Sequence, residues 1–392
     1  MERIRRINFS IICIYSILTI FILPSIDTTI KRKVFIAIFM FINTIYILNN
    51  IKYFMKIKFR TKNIIAMNIL IITIIANILV TKYSIGFTVM LSLYVIVINL
   101  SFDKNIRDIH INRNLNKIIY LLMIISIILQ FITPKSVTNG KYTLLFVKDK
   151  NYSAIILFLF FIYCDKNKFM IGRVLCILIS FILNSRAYQM MLISLFIIKI
   201  CRKHINIFMN KLKLNNSYNI IIISTIGIIL FSNYWINNIA IGSVKNYQEG
   251  LNDLSNKMRF AANLNALEVI KKDDKNGHLL LYGYDYDIVD VFGINENQAF
   301  AQSDNYGVRV VQPHNSILNV VIKSGIIISI FYFYVISKTI DIYFLEDNLE
   351  YIIPYFLNIL FLHGLLDTDY LLFFLIVISL PICKKKYTKG EI

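Results

Sequence analysis

Asn-Ile-Leu-Ile-Ile-Thr-Ile-Ile-Ala-Asn-Ile-Leu-Val, residues 68–80, carries no charge and only three polar side chains. With its flanks it forms an apolar run over 64–82, within the roughly 17–25 residues that a helix needs to cross bilayer hydrocarbon. Only a segment that satisfies its own backbone hydrogen bonds is stable there, so the run predicts a transmembrane helix. Similar runs recur along the chain, at 7–24, 34–50, 84–101, 116–133, 152–164, 169–184, 187–201, 217–236, 315–337, 351–365 and 369–383. The 392 residues are 57% hydrophobic with mean hydropathy +0.63, more than one soluble core of about 250–300 residues can bury. The reading is an all-α integral membrane protein of about twelve transmembrane helices (ten to twelve), with the first run retained as a helix.

The net charge of +19 belongs to this reading and not to nucleic acid. Lys and Arg cluster in short connections between apolar runs, where they orient helices. No basic face with interleaved aromatics appears. One set of connections holds Arg3, Arg5 and Arg6, Lys52 to Lys62, Lys104 to Arg113, Lys166 and Lys168, Arg202 to Lys213, and Lys384 to Lys386. That set marks the cytoplasmic side and places both termini there, with Lys31-Arg32-Lys33 as an exception on the outer side. Five cysteines lie in or at the ends of apolar runs, so neither a disulfide framework nor a CxxC metal site is expected.

Residues 237–313 are too polar to span and too long for a simple connection. They hold 7 basic and 10 acidic residues, net −3, which leaves +22 on the rest of a chain whose total is +19. Such asymmetry predicts a translocated, extracytoplasmic loop. The chain thus divides into helices over 1–236, the large loop over 237–313, and C-terminal helices with a basic tail over 314–392. Within the loop, Leu251, Leu254, Met258, Ala261, Leu264 and Ala266–Leu267 mark an amphipathic helix over 251–272, followed by a glycine-broken stretch over 278–311.

Three polar positions on the outer side are candidates for chemistry. Asn184-Ser185-Arg186 separates two apolar runs. An arginine there anchors a helix at the interface about as often as it clamps phosphate through its planar fork. Arg259, with Lys257 nearby, sits on the loop helix, where a lone charge is more often a solvated face. Pro313-His314-Asn315 lies where the loop re-enters the membrane. A histidine there is inert or capping about as often as it is a base, yet neutral imidazole is the side chain best placed to take a proton near neutral pH. A helix starting near 315 disfavours imidazolium at His314. Asp285, Asp287 and Asp290 are an acidic trio read first as solvated, with a divalent cation as the lesser alternative. His363, Asp367 and Asp369 near the last outer turn are read as polar turn residues or as part of the same cavity lining. His110, His204 and His278 are read as loop histidines.

In order and spacing these motifs resemble the O-antigen polymerase/ligase superfamily. Ser185-Arg186 matches its Ser-Arg at an outer helix end. Arg259-Phe-Ala-Ala-Asn-Leu-Asn-Ala-Leu-Glu-Val-Ile with Gly283 downstream matches its loop arginine, helix and glycine turn. His314-Asn315 with Gly325 matches its His-Asn and following glycine. The match in sequence covers about 184–328, and it departs at Asn263, where a Trp is common, and at Ile328, where a second Gly is usual.

The resemblance implies a GT-C-like membrane glycosyltransferase without cofactor or metal, in the bacterial plasma membrane. Its donor and acceptor are undecaprenyl-pyrophosphate-linked glycans, and a chain-length regulator and a flippase are implied partners. His314 is the implied catalytic base, Arg186 and Arg259 the pyrophosphate ligands, and Ser185, Asn315, Lys257 and Arg309 supporting residues. Polymerisation of repeat units is preferred over ligase-type transfer to an acceptor lipid or protein. A lipid-linked oligosaccharide flippase is the alternative of another class, disfavoured by the long single loop and the few charges within the spans.

Overall fold

A computed structural model describes Leu121, 150–183, 185–211, Ala266, 278–281, Gly283, Pro313, 315–343, 345–359, Leu362, 365–366 and 369–379. These residues are helical apart from short turns. In chain order the helices are α1 (Lys150–Lys166), α2 (Met170–Leu183), α3 (Arg186–Lys211), the single-turn α4 (His278–Leu281), α5 (Ser316–Ser324), α6 (Ile326–Tyr343), α7 (Leu345–Ile359) and α8 (Asp369–Ser379). Among the described residues no helix is long and apolar enough to cross a membrane.

α1 is the centre of this group. Ala154 through Cys164 are all buried, as expected of a helix that is apolar around its whole circumference. It ends in a Schellman-type turn. Lys168 N–H donates to Asp165 O at 3.1 Å and Phe169 N–H to Cys164 O at 2.8 Å, with Lys168 left-handed at φ 56°. The chain reverses there into α2, whose Gly172 lies against Cys164 and Phe169; a Cβ on it would meet the Phe169 ring at 2.3 Å. α2 buries Cys176, Ile179, Ser180 and Leu183, the spacing of one helical face. α3 buries Tyr188, Met191, Leu192, Leu195 and Ile198 in the same way.

Contacts fix the directions of these helices. Phe161 of α1 meets Phe196 of α3 edge-on at 6.2 Å, and further along Asp165 pairs with Lys199, so α1 and α3 run parallel. Tyr152 stacks on Tyr370 at 5.5 Å, while Lys166 reaches Ile378 O, so α1 and α8 are parallel too. α7 runs the other way. Its Asn348 accepts from Lys166 at 2.9 Å, and its far half leads to the turn at 362–366 that precedes α8. Tyr355 of α7 stacks on Phe374 of α8 with centroids 3.9 Å apart.

Four elements differ from the sequence reading. The run 187–201 belongs to a helix that continues to Lys211, carrying exposed Lys203 and His204 on it, so His204 is a helical residue. The run 315–337 is not one helix. It breaks at Gly325, whose φ 83° and ψ 162° are open essentially to glycine alone. The run 351–365 is replaced by a helix over Leu345–Ile359 with a kink at Asn348, while the last helix, described over Asp369–Ser379, starts where the expected span 369–383 starts. His278 opens α4 instead of lying in a loop. Of the expected loop helix 251–272 only Ala266 is described, helical and buried. The remaining expected spans, the terminal charge clusters and the acidic trio lie outside the described residues.

Candidate functional site

At α3's start Ser185 O accepts from Gln189 N–H at 3.1 Å, making Ser185 the residue that opens the helix. Its hydroxyl, fully buried, has no hydrogen-bond partner, although serine at that position usually caps its own helix. Arg186 follows it as the first helical residue and is exposed.

Asn315 opens α5. Its Oδ1 accepts from Ile317 N–H at 2.9 Å and Leu318 N–H at 3.1 Å, satisfying two of the four donors a helix start leaves over. Occupied in this way, Oδ1 is not the atom to hold a neighbouring imidazole. What Asn315 has left is Nδ2, buried and without a partner. The next residue, Ser316, fastens the helix start to the turn between α7 and α8. Its Oγ donates to Leu362 O at 2.5 Å and accepts from Leu365 N–H at 3.0 Å. Tyr355 OH adds a bond to Leu365 O at 2.8 Å, and Tyr332 OH donates to Leu366 O. Sequence reading singled out this turn through His363 and Asp367 but missed Ser316, Tyr332 and Tyr355, because a lone hydroxyl in an apolar run gives no local signal.

Ser185-Arg186 and Asn315 therefore share one end of the helix group. α3 starts there, thirteen residues before Lys199, or about 20 Å along a helix. α5 starts there too, against the turn that leaves α7's far end. Arg259, Lys257, Arg309 and His314 lie outside the described residues, so of the candidate site the structure brings Ser185, Arg186 and Asn315 to a common end.

The opposite end holds a charge cluster that sequence reading did not identify. Asp165 pairs with Arg173 at 3.1 Å and with Lys199, and accepts from Tyr351 OH at 2.5 Å. Burial pushes its carboxyl up, but hydrogen bonds from Lys199, Tyr351 and Arg173, with the charge of Lys199, outweigh that and hold it below the usual carboxylate range. Arg202 lies 3.6 Å from Glu350, and buried Lys166 donates to Asn348 and Ile378 O. The available signal was Lys199 interrupting an apolar run 34 residues after Asp165. Among the described residues no group of three or more His, Cys, Asp or Glu side chains comes together as a metal site.

The described residues of the shared end offer unpartnered donors, Asn315 Nδ2 and the Ser185 hydroxyl, at the same end as exposed Arg186. That combination suits an oxygen-rich, anionic ligand. No family model, curated protein or solved structure matches the chain.

Proposed function

We propose that the chain is a multi-spanning membrane glycosyltransferase that polymerises undecaprenyl-pyrophosphate-linked repeat units at the outer face of a bacterial plasma membrane. The observation that carries the proposal is that Ser185-Arg186 and Asn315 lie toward the same end of the helix group, with buried donors on Ser185 and Asn315 that have no hydrogen-bond partner. Charge is concentrated at the other end, around Asp165, as expected where helices meet a cytoplasmic surface rich in Lys and Arg. Between the two ends α2 and α3 expose Ile171, Val174, Leu178, Phe181, Met190, Ile193, Phe196, Ile197 and Ile200, an apolar face that suits acyl chains better than water.

In this mechanism Arg186 and Arg259 take up charge as the lipid pyrophosphate leaves. His314 accepts the proton of the acceptor hydroxyl as that oxygen attacks the anomeric carbon. Asn315 caps the helix that follows His314, and its Nδ2 donates to a substrate oxygen. Reconstitution with a lipid-linked repeat unit, with EDTA present, tests the reading by electrophoresis of the glycans. A ladder is expected from the wild type, while Arg186→Ala and Arg259→Ala abolish it and Lys at either position rescues poorly. His314→Ala should bind donor yet slow transfer by roughly 10²–10⁴-fold. Near wild-type ladders from all three variants would overturn the mechanism.

A further inference from the structure

Gly283, in the polar loop, and Gly325, at the break between α5 and α6, are in contact although 42 residues separate them. A Cβ on Gly283 would lie 2.5 Å from Gly325 N, 2.6 Å from Lys323 C and 2.7 Å from Ile322 O. All three are backbone atoms, which do not move aside as a side-chain tip does. Gly283 also has φ +72°, a conformation L side chains rarely adopt. Just before it, Leu279 is buried at 1% exposure while Leu280 is 49% exposed. The break itself is internally finished. Gly325 N–H donates to Val321 O at 2.9 Å, Ser329 Oγ donates to Gly325 O at 2.6 Å, and the Ser324 and Ser329 hydroxyls meet at 2.9 Å.

We infer that Leu279–Gly283 is the anchor that pins the polar loop onto the α5–α6 break, and that Gly283 and Gly325 are positioning residues for the helix start at Asn315. α5 is only nine residues long, about 14 Å, so it acts as a short rod between two fastenings. Ser316 fixes one end to the 362–366 turn, and the glycine contact fixes the other. Lifting the anchor frees one end of the rod, and the residues at its start shift with it. The positioning role rests on the glycosyltransferase reading; the anchor itself does not.

The test uses the full chain in membranes, with Cys13, Cys201 and Cys383 replaced by serine and a single reporter, Leu279→Cys, exposed to a water-soluble maleimide. G283A should raise the labelling rate of residue 279 by about tenfold or more, as local opening does. Leu280→Cys should label with and without G283A. Buried Cys164 and Cys176 should stay protected, showing that the α1–α2 core is intact. In the reconstituted reaction G283A should lower kcat on the order of a hundredfold, the scale of a small misplacement of reacting groups, with KM for the donor within about twofold. Equal protection of residue 279 with and without G283A, while residue 280 labels, overturns the anchor. Opening at residue 279 with kcat unchanged overturns the positioning role. A wild type that makes no ladder sinks the enzymatic reading, and the labelling result still decides the anchor.

Discussion

Asp165 shows how one side chain ties distant parts of the chain together. Its partners come from α2, α3 and α7, and one of them, Tyr351, lies 186 residues away. Asp165→Asn removes the carboxylate and leaves Arg173 and Lys199 facing each other. Both are about one-third exposed, so the loss should be about 1–3 kcal/mol, below the figure for a fully buried pair, and a thermal melt in detergent reads it. The sign with pH follows from the lowered carboxyl value. Its contribution is complete above the unfolded value of about 4 and is lost as pH falls through the lower folded value. The wild type should therefore lose melting temperature on acidification over that window, and Asp165→Asn should lose less. Asn315 invites a different separation. Asn315→Ser keeps a good cap but deletes Nδ2, so its stability should stay within about 0.5 kcal/mol of the wild type. Glycan transfer should nevertheless fall by about tenfold or more if Nδ2 holds substrate, the worth of one hydrogen bond at about 1.4 kcal/mol.

At the scale of elements, apolar runs were enough to locate helices at 152–164, 169–184 and 187–201, because an apolar stretch bounded by polar residues leaves a plain mark on sequence. It failed at 315–337. There glycine was legible as a residue, but its φ of 83° was not, since apolar residues continue on both sides of the break. The α1–α2 turn carries its own test. Lys168 holds a left-handed conformation that costs an L-residue roughly 1–2 kcal/mol. Lys168→Gly should recover part of that, raising stability by about 0.5–1 kcal/mol in the same melt, because the position is exposed and glycine is the usual residue there. A fall in melting temperature would mean that the lysine side chain contributes more than its backbone costs.

For the molecule as a whole, which of the described helices touch was not legible from local sequence. Nothing in local spacing tells that α1 packs against α8, or that Ser316 meets Leu362 and Leu365. Those pairings are properties of the assembled group, and Arg259 and His314 belong to parts of the chain outside the described residues. The pairing of Lys166 has a consequence in time. Asn348 and Ile378, which receive its ammonium, follow it by 182 and 212 residues. At a synthesis rate of roughly 5–20 residues per second, α1 emerges on the order of ten seconds or more before either acceptor exists. Throughout that interval these two acceptors are absent, and the bonds they make to the last turn of α1 form only afterwards. The helix that ends up deepest in the group thus gains two of the bonds at its last turn only once the C-terminal helices have arrived.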